Sequence, residues 1–308
     1  MKTLLIMNPG SRSGRAKKLW PHWCDDLRKA GLAFDCVETN HKGHGVELAM
    51  NASGYDAVVA VGGDGTINEV LDGVMKAQGK DLRMGVLYSG TSPDFCRFHG
   101  IPIRRSEAVK ELIAGRSNRI DVARIEFSGQ DGSRTTSFFG CGSNIGLGAS
   151  VARISNRIRR LAGDNAGTCL AAIYTILMTT PVNLEMILDG SEYRLEAVNN
   201  LSILKSPYIA SGLRLNLDLS CDDGKLVVFA VHGKRGFKVL SILPGFYSGR
   251  AAARDDVFMR ECSQVSIRCA EKAELEFDGD PRGFLPVEIR IIPRALNLIG
   301  AGAGNERI

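Results

Sequence analysis

The sequence predicts an α/β domain with a mainly parallel sheet, residues 1–122 with 297–308 returning to it, and a β-sandwich domain with attached helices, residues 123–296. Three observations predict it. Apolar strand-like runs alternate with helical patterns up to about residue 122, the signature of βαβ units. Beyond that point, short strand-like runs are punctuated by Gly, Asp and Asn, as in a sandwich. At 308 residues, finally, the chain suits two domains better than one.

The elements follow in order. TLLIM is a short apolar strand running into NPGSRSGRA, and residues 14–30 read as a helix closed by Gly31. FDCVET and DAVVAV are the second and third strands. TINEVLDGVMKA is a helix, RMGVLYSG a strand, SEAVKELIAG a helix and RIDVARIEF a strand. In the second part TTSFFGCGSN, VNLEMILDG, YRLEAVNNLSILKS, KLVVFAVHG, QVSIRCA, AELEFDGD and VEIRIIP are strand-like, with helical segments at 148–161, 166–179 and 236–247. The closing ALNLIG is apolar enough to return to either domain, and the last residues are placed with the first.

Composition narrows the function classes. Hydrophobic content of 44% and charged content of 24% are ordinary globular values. The net charge of +5 suits phosphate handling or an anionic surface, and many other proteins share it. Eight cysteines lie scattered without a CxxC pair, several inside apolar runs, which argues for a reducing, cytoplasmic setting rather than a disulfide framework. MKTLLIMNPGS is too short in apolar residues for a signal peptide. The run Leu170 to Met178 falls short of the roughly 20 residues a membrane span needs, so membrane contact is expected to be peripheral. Lys and Arg are dispersed without an aromatic platform, which excludes a nucleic-acid module. The five histidines lack metal spacing, and His41 and His44 of NHKGHG read as part of a loop rather than a zinc site.

DAVVAVGGDGTINEVLDGV carries the chemistry. Thr66 and Glu69 have the spacing of a capping box, so a helix is expected to begin at about Ile67. A helix N-terminus favours phosphate. Asp64, set among glycines, would repel phosphate unless a divalent cation bridged the two. Strand, glycines, carboxylate and helix together read as a nucleotide site with Mg²⁺, although a tight βα turn in which Asp64 assists the cap explains the loop as well.

VGGDGTINEVLDGV resembles the glycine-rich motif of the diacylglycerol kinase catalytic-domain family. MNPGSRSGRA resembles that family's first nucleotide loop, and GVLYSGTSPDFCRFHGIP its LPLGTANDFAR segment. ELEFDGDPRGFLPVEIRIIPRALNLI resembles its DGE segment and the strands after it. NAD kinases share the Gly-Gly-Asp-Gly loop and the two-domain plan, but GTSPDF and the closing pattern favour the lipid-kinase branch. The resemblance implies an ATP- and Mg²⁺-dependent lipid kinase acting on a hydroxyl of diacylglycerol or a related lipid, with its active site in the cleft between the domains. An NAD kinase-like phosphotransferase and an inactive nucleotide- or lipid-binding homologue are the alternatives.

The resemblance also implies roles. Nucleotide contacts fall to Asn8, Pro9, Ser11, Gly14, Gly62, Gly63, Asp64, Gly65, Thr66, Glu69, Gly90, Thr91 and Asp94. Asp64 would hold Mg²⁺, with Asp121 of RIDVARI near the same metal. Asp278 of FDGD matches the general base, Asp280 stands where the family has Glu as a further metal ligand, and Asp223 of CDDGKL matches a structural Mg²⁺ site. Two departures stand out: Pro93 replaces an Asn, and Asp280 is one methylene shorter than Glu. On a helix from about 149, Val151, Ile154, Ile158 and Leu161 share one face and Arg153, Arg157 and Arg160 another. Such a helix either rests on an anionic inner membrane face or is an ordinary domain helix with a solvated basic side. A homodimer is compatible with the sequence.

Overall fold

Buried apolar runs set the first sheet. A computed structural model describes residues 2–12, 14, 16–77, 81–146, 180–209, 213–233, 254–277 and 280–300. It opens with β1 (Thr3–Met7), α1 (Ala16–Lys29), β2 (Phe34–Glu38), α2 (His44–Met50), β3 (Ala57–Gly62), α3 (Asp64–Lys76), β4 (Arg83–Tyr88), α4 (Asp94–His99) and α5 (Arg105–Ala114). Every residue of β1 and β3 is buried, so side chains of both faces are covered. Leu5, Val59 and Leu87 pack beneath Trp23 and Leu27 of α1 and Ala108 and Leu112 of α5. Ile6, Ala60 and Met84 pack on the other face against Ile67, Val70 and Leu71 of α3 and Ala49 of α2.

The rest is strand-rich: β5 (Ser117–Ser128), β6 (Arg134–Phe139), β7 (Gly142–Gly146), β8 (Val182–Leu188), β9 (Ser191–Leu204), β10 (Tyr208–Ile209), β11 (Leu213–Arg214), β12 (Leu226–His232), β13 (Val257–Cys262), β14 (Gln264–Cys269), β15 (Glu274–Phe277) and β16 (Asp280–Ile299). The helices expected at 148–161, 166–179 and 236–247, and with them the basic face at Arg153, Arg157 and Arg160, lie outside the described residues.

From one edge the strands run β2, β1, β3, β4, β16, then β15, β7, β9, β12 and β13. β1 pairs parallel with β2 and with β3, β3 with β4, and β4 with β16. The later ladders are antiparallel. β16, β14, β8, β9, β7 and β15 pair in a closed ring, because the long strands β9 and β16 each bond on two sides. The expected sandwich is therefore continuous at both of its sides. Register shifts on β8–β9 and β16, with left-handed Ala197 in β9, allow the bending that closure demands. Ile145, Leu184, Leu201, Leu275, Phe277 and Val265 fill the interior.

β16 also joins the two halves. Its end pairs with β4 at Asn297 and Leu298, while its length pairs with β5 from Phe284 to Ile299. Leu296 and Leu298 accordingly sit in the core of the first sheet.

Candidate active site

The first sheet runs outward from β1 to β2 on one side and from β3 to β4 on the other. In parallel sheets, ligands bind beyond the carboxyl ends of strands where the order reverses, here between β1 and β3. The loops leaving β1, β3 and β4 meet at that place. Asn8 N–H bonds the Val61 carbonyl at 3.1 Å, and Ser89 N–H bonds the Gly62 carbonyl at 2.8 Å. Asn8 Nδ2 donates to Thr66 Oγ1 at 3.1 Å, and Ser11 Oγ to the Ser89 carbonyl at 3.4 Å. Gly10 N–H returns to Asn8 Oδ1 at 2.9 Å, so the turn after β1 is braced by its own Asn. Gly14 closes the turn with a φ of +84°.

The glycines of GGDG have a packing reason that the sequence conceals. A Cβ on Gly62 would collide with the Thr66 side chain. One on Gly90 would stand 2.5 Å from Gly63 Cα and 2.6 Å from the Tyr88 hydroxyl. These residues let three loops touch one another, which is a different reason from closeness to a ligand.

The capping-box expectation is corrected. Helix α3 starts at Asp64 with extended Gly63 as its N-cap, and the Gly63 carbonyl accepts from both Thr66 N–H and Ile67 N–H at 3.0 Å. No side chain caps it. Thr66 Oγ is bound to Asn8 instead, and the Glu69 carboxylate accepts Gly43 N–H at 2.8 Å and Gly45 N–H at 3.1 Å. Asp64 thereby gains the first position of the helix, where a negative charge meets the positive end of the dipole. Gly65 follows in the same turn, and its amide and that of Asp64 precede the first hydrogen bonds of the helix.

Asp64 is half-buried, and its charge reaches its neighbours. Burial first, and the Asp64 charge second, push the Tyr88 hydroxyl and the Cys96 thiol far above their ordinary values, so both stay neutral. Asp94, in the first turn of α4, accepts from Ser92 Oγ at 3.0 Å and pairs with Arg97 at 3.1 Å. Pro93 is the N-cap of that helix, where its missing N–H costs no intrahelical bond, and its carbonyl accepts Arg97 N–H at 2.9 Å. Thr91 is exposed beside them, and Pro9 lies in the turn after β1. An oxygen-only donor set built on Asp64 suits a hard divalent cation completed by phosphate oxygens.

Asp121 and Asp223 come together around a positive charge of the chain itself. Both carboxylates bind the ammonium of Lys205, at 2.9 Å and 2.6 Å. Burial works against the ionisation of Asp223, but Lys205 and the Ser220 and Lys225 amides outweigh it and hold that carboxyl below its usual range.

Asp278 lies outside the described residues, as does Gly279. The strands beside them pair with Phe277 opposite Asp280. One buried carboxylate nearby escaped sequence reasoning. Glu276 is 3% exposed and accepts from Asn144 Nδ2, whose Oδ1 accepts from Ser202 Oγ. Glu276, Asn144 and Ser202 are register partners on β15, β7 and β9 and make a polar row across the sheet. Its signal in the sequence is clear only in ELEF, where Glu alternates with apolar residues; the adjacent polar residues of GSNIG and NNLSIL blur it.

Residues 2–125 match the diacylglycerol kinase catalytic domain, and residues 143–300 match the YegS C-terminal NAD kinase beta sandwich-like domain. A diacylglycerol kinase of Mycobacterium tuberculosis is 26% identical over 306 residues, covering 97% of this chain and 94% of that protein. One from Staphylococcus aureus is 24% identical over 302 residues, covering 96% and 90%. The solved structure of a diacylglycerol kinase from Bacillus anthracis superposes with a TM-score of 0.68 at 20% identity, covering 97% of this chain and 96% of that one. Yeast NADH kinase in complex with NADH gives 0.57 at 11% identity, over 99% and 84% of the chains. At these identities the structural likenesses concern the fold.

Proposed function

Because the chain belongs to the family that joins a diacylglycerol kinase catalytic domain to a YegS-type, NAD kinase-like β domain, we propose that it is a lipid kinase transferring the γ-phosphate of ATP to a hydroxyl of diacylglycerol or a related lipid, with Mg²⁺. The observation that carries this reading is the meeting of Asn8–Ser11, Gly62–Thr66 and Ser89–Asp94 at the reversal point of a parallel sheet, with Asp64 opening α3.

Phosphoryl transfer asks a protein chiefly for positioning and charge neutralisation. In this reading the first turn of α3 receives phosphate, the turn after β1 and the Gly90–Thr91 segment border the nucleotide, and Asp64 is the carboxylate that would hold Mg²⁺. The cation, when bound, neutralises charge on the transferring group. Asp278 takes the proton of the acceptor hydroxyl as general base, and Asp280 assists from two residues along. Glu276 and Asn144, in a row that begins two residues before Asp278, orient that part of the β domain. Residues 1–122 with the returning end of β16 form the nucleotide half and residues 123–296 the lipid half. No helix among the described residues is long and apolar enough to cross a membrane, and a lipid acceptor would be reached by peripheral contact.

Incubation of the purified chain with labelled ATP, Mg²⁺ and a lipid panel, with products identified by mass spectrometry, tests the reading. A phosphorylated lipid is expected, and Asp278→Asn is expected to lower turnover at least about 100-fold while ATP binding survives. Transfer to NAD with none to any lipid would overturn it, as would ATP binding without turnover.

A further inference from the structure

Where β5 and β16 cross from one half of the molecule to the other lies a buried positive charge that the reaction leaves unused. Lys205 follows the last residue of β9 and is wholly buried. Its Nζ donates to Asp121 Oδ2 at 2.9 Å, to Asp223 Oδ1 at 2.6 Å and to the Ser220 carbonyl at 2.8 Å. An ammonium has three hydrogens and no lone pair, so these oxygens satisfy it. The carboxylates are engaged in turn. Asp121 Oδ2 also accepts Gly224 N–H at 2.7 Å, and its Oδ1 accepts Arg294 N–H at 2.9 Å. Asp223 accepts Ser220 N–H at 2.8 Å and Lys225 N–H at 3.0 Å.

A divalent cation requires about six oxygen lone pairs around it. Here the inward-facing backbone groups include four N–H donors, and the central place is taken by an amine tethered to β9. The residues present therefore do not fit the metal that the family resemblance implies for Asp121 and Asp223. Two of the segments tied together, β5 with Asp121 and β16 with Arg294, run between the two halves, and the third is the turn before β12 with Asp223. Arg294 is left-handed, with a φ of +49°, at the register shift between Ile292 and Leu296. Asp121 Oδ1 takes the amide that this bulge turns away from the ladder. The cation also reaches the first domain's helix α4: burial first, and the Lys205 charge second, push His99 down to about 3.

We propose that Lys205 is a built-in cation that locks the junction of β5, β16 and the 220–225 turn, and that this junction neither needs nor binds a divalent metal. The inference stands apart from the reaction proposed above, since it concerns a cluster whose oxygens are committed to the chain itself. Thermal melting of the full chain carrying Asp64→Asn, so that metal beside α3 does not contribute, tests it. The melting temperature is expected to be the same in excess chelator and in millimolar Mg²⁺, Ca²⁺ or Mn²⁺. A rise with any of these ions, reversed by the chelator, would overturn it.

In the same background, Lys205→Gly removes the cation and leaves its cage. That variant is expected to melt roughly 10 °C lower, with part of the loss restored by millimolar ethylammonium, which does not move the parent. A Lys205→Gly chain that melts like its parent, or that ethylammonium does not restore, sinks the proposal. Should that variant not fold, Asp223→Asn must itself lower the melting temperature, and an unchanged value would be equally decisive against it.

Discussion

Individual residues carry more of this site than their types suggest. Gly90 is legible in the sequence as part of a nucleotide-loop motif, yet the reason only glycine fits there is Gly63, 27 positions earlier (90 − 63). Gly90→Ala places a methyl against backbone and the Tyr88 ring. A loss of about 1–3 kcal/mol is expected in chemical denaturation, together with weaker ATP binding by calorimetry. His99 tells a different story. It is 1% exposed between Phe95 and Phe98, and neither ring nitrogen has a hydrogen-bond partner. Burial holds the folded-state value at about 3, against an ordinary 6.5. Between those values the unfolded chain takes up a proton that the folded chain refuses, so stability is complete above about 6.5 and drains away as pH falls toward 3. His99→Leu is expected to narrow the difference in melting temperature between about pH 7.5 and about pH 5. An unchanged difference would place the acid sensitivity elsewhere. Lys205 was not legible at all, because a lone lysine after a strand reads as a solvated charge until the fold folds Asp121 and Asp223 over it.

At the scale of elements, the apolar runs of β1, β3 and β4 and the helix after GGDG are plain from pattern alone, whereas the start of α3 is not. Thr66 and Glu69 have capping-box spacing, but tertiary partners claim both: Asn8 takes one and the 43–45 backbone the other. Glu69 is thus the clasp between α3 and the loop leading into α2. Glu69→Gln keeps one acceptor oxygen and loses the charge. It is expected to cost about 1–3 kcal/mol and to speed amide hydrogen exchange at Gly43 and Gly45 specifically. Exchange unchanged at those amides would mean that the clasp is idle. β16 shows the opposite failure of legibility. Pro281, Pro286 and Pro293 break its pattern into pieces, yet one strand of 20 residues runs through them. The second and third fall within its two register shifts, where a missing N–H leaves no ladder bond unmade.

For the molecule as a whole, the division into an α/β half and a strand-rich half could be read from texture, but the closure of the strand-rich half could not. Closure depends on β9 and β16 each changing partner along their length, β9 from β8 to β7 and β16 from β15 to β14, which no local pattern records. It also ties the halves together, since β5 runs unbroken past residue 122 and β16 pairs along it before reaching β4. Unfolding is therefore expected to be a single event. Both tryptophans, Trp20 and Trp23, lie on α1 and report on the first sheet, while far-ultraviolet circular dichroism reports on all strands. In urea the two signals should trace one coincident transition, and separated midpoints would show that the halves melt independently.

The path of β16 also has a consequence in time. A ribosome releases β1, β3 and β4 long before it releases Leu296 and Leu298, which fill the core beside them. Until then the nascent first sheet has one flank of unanswered backbone amides and carbonyls along β4, a ready template for the strand of another chain. The hazard in making this protein is thus concentrated between the emergence of β4 and that of β16, the interval in which a cell's holding chaperones have most to protect.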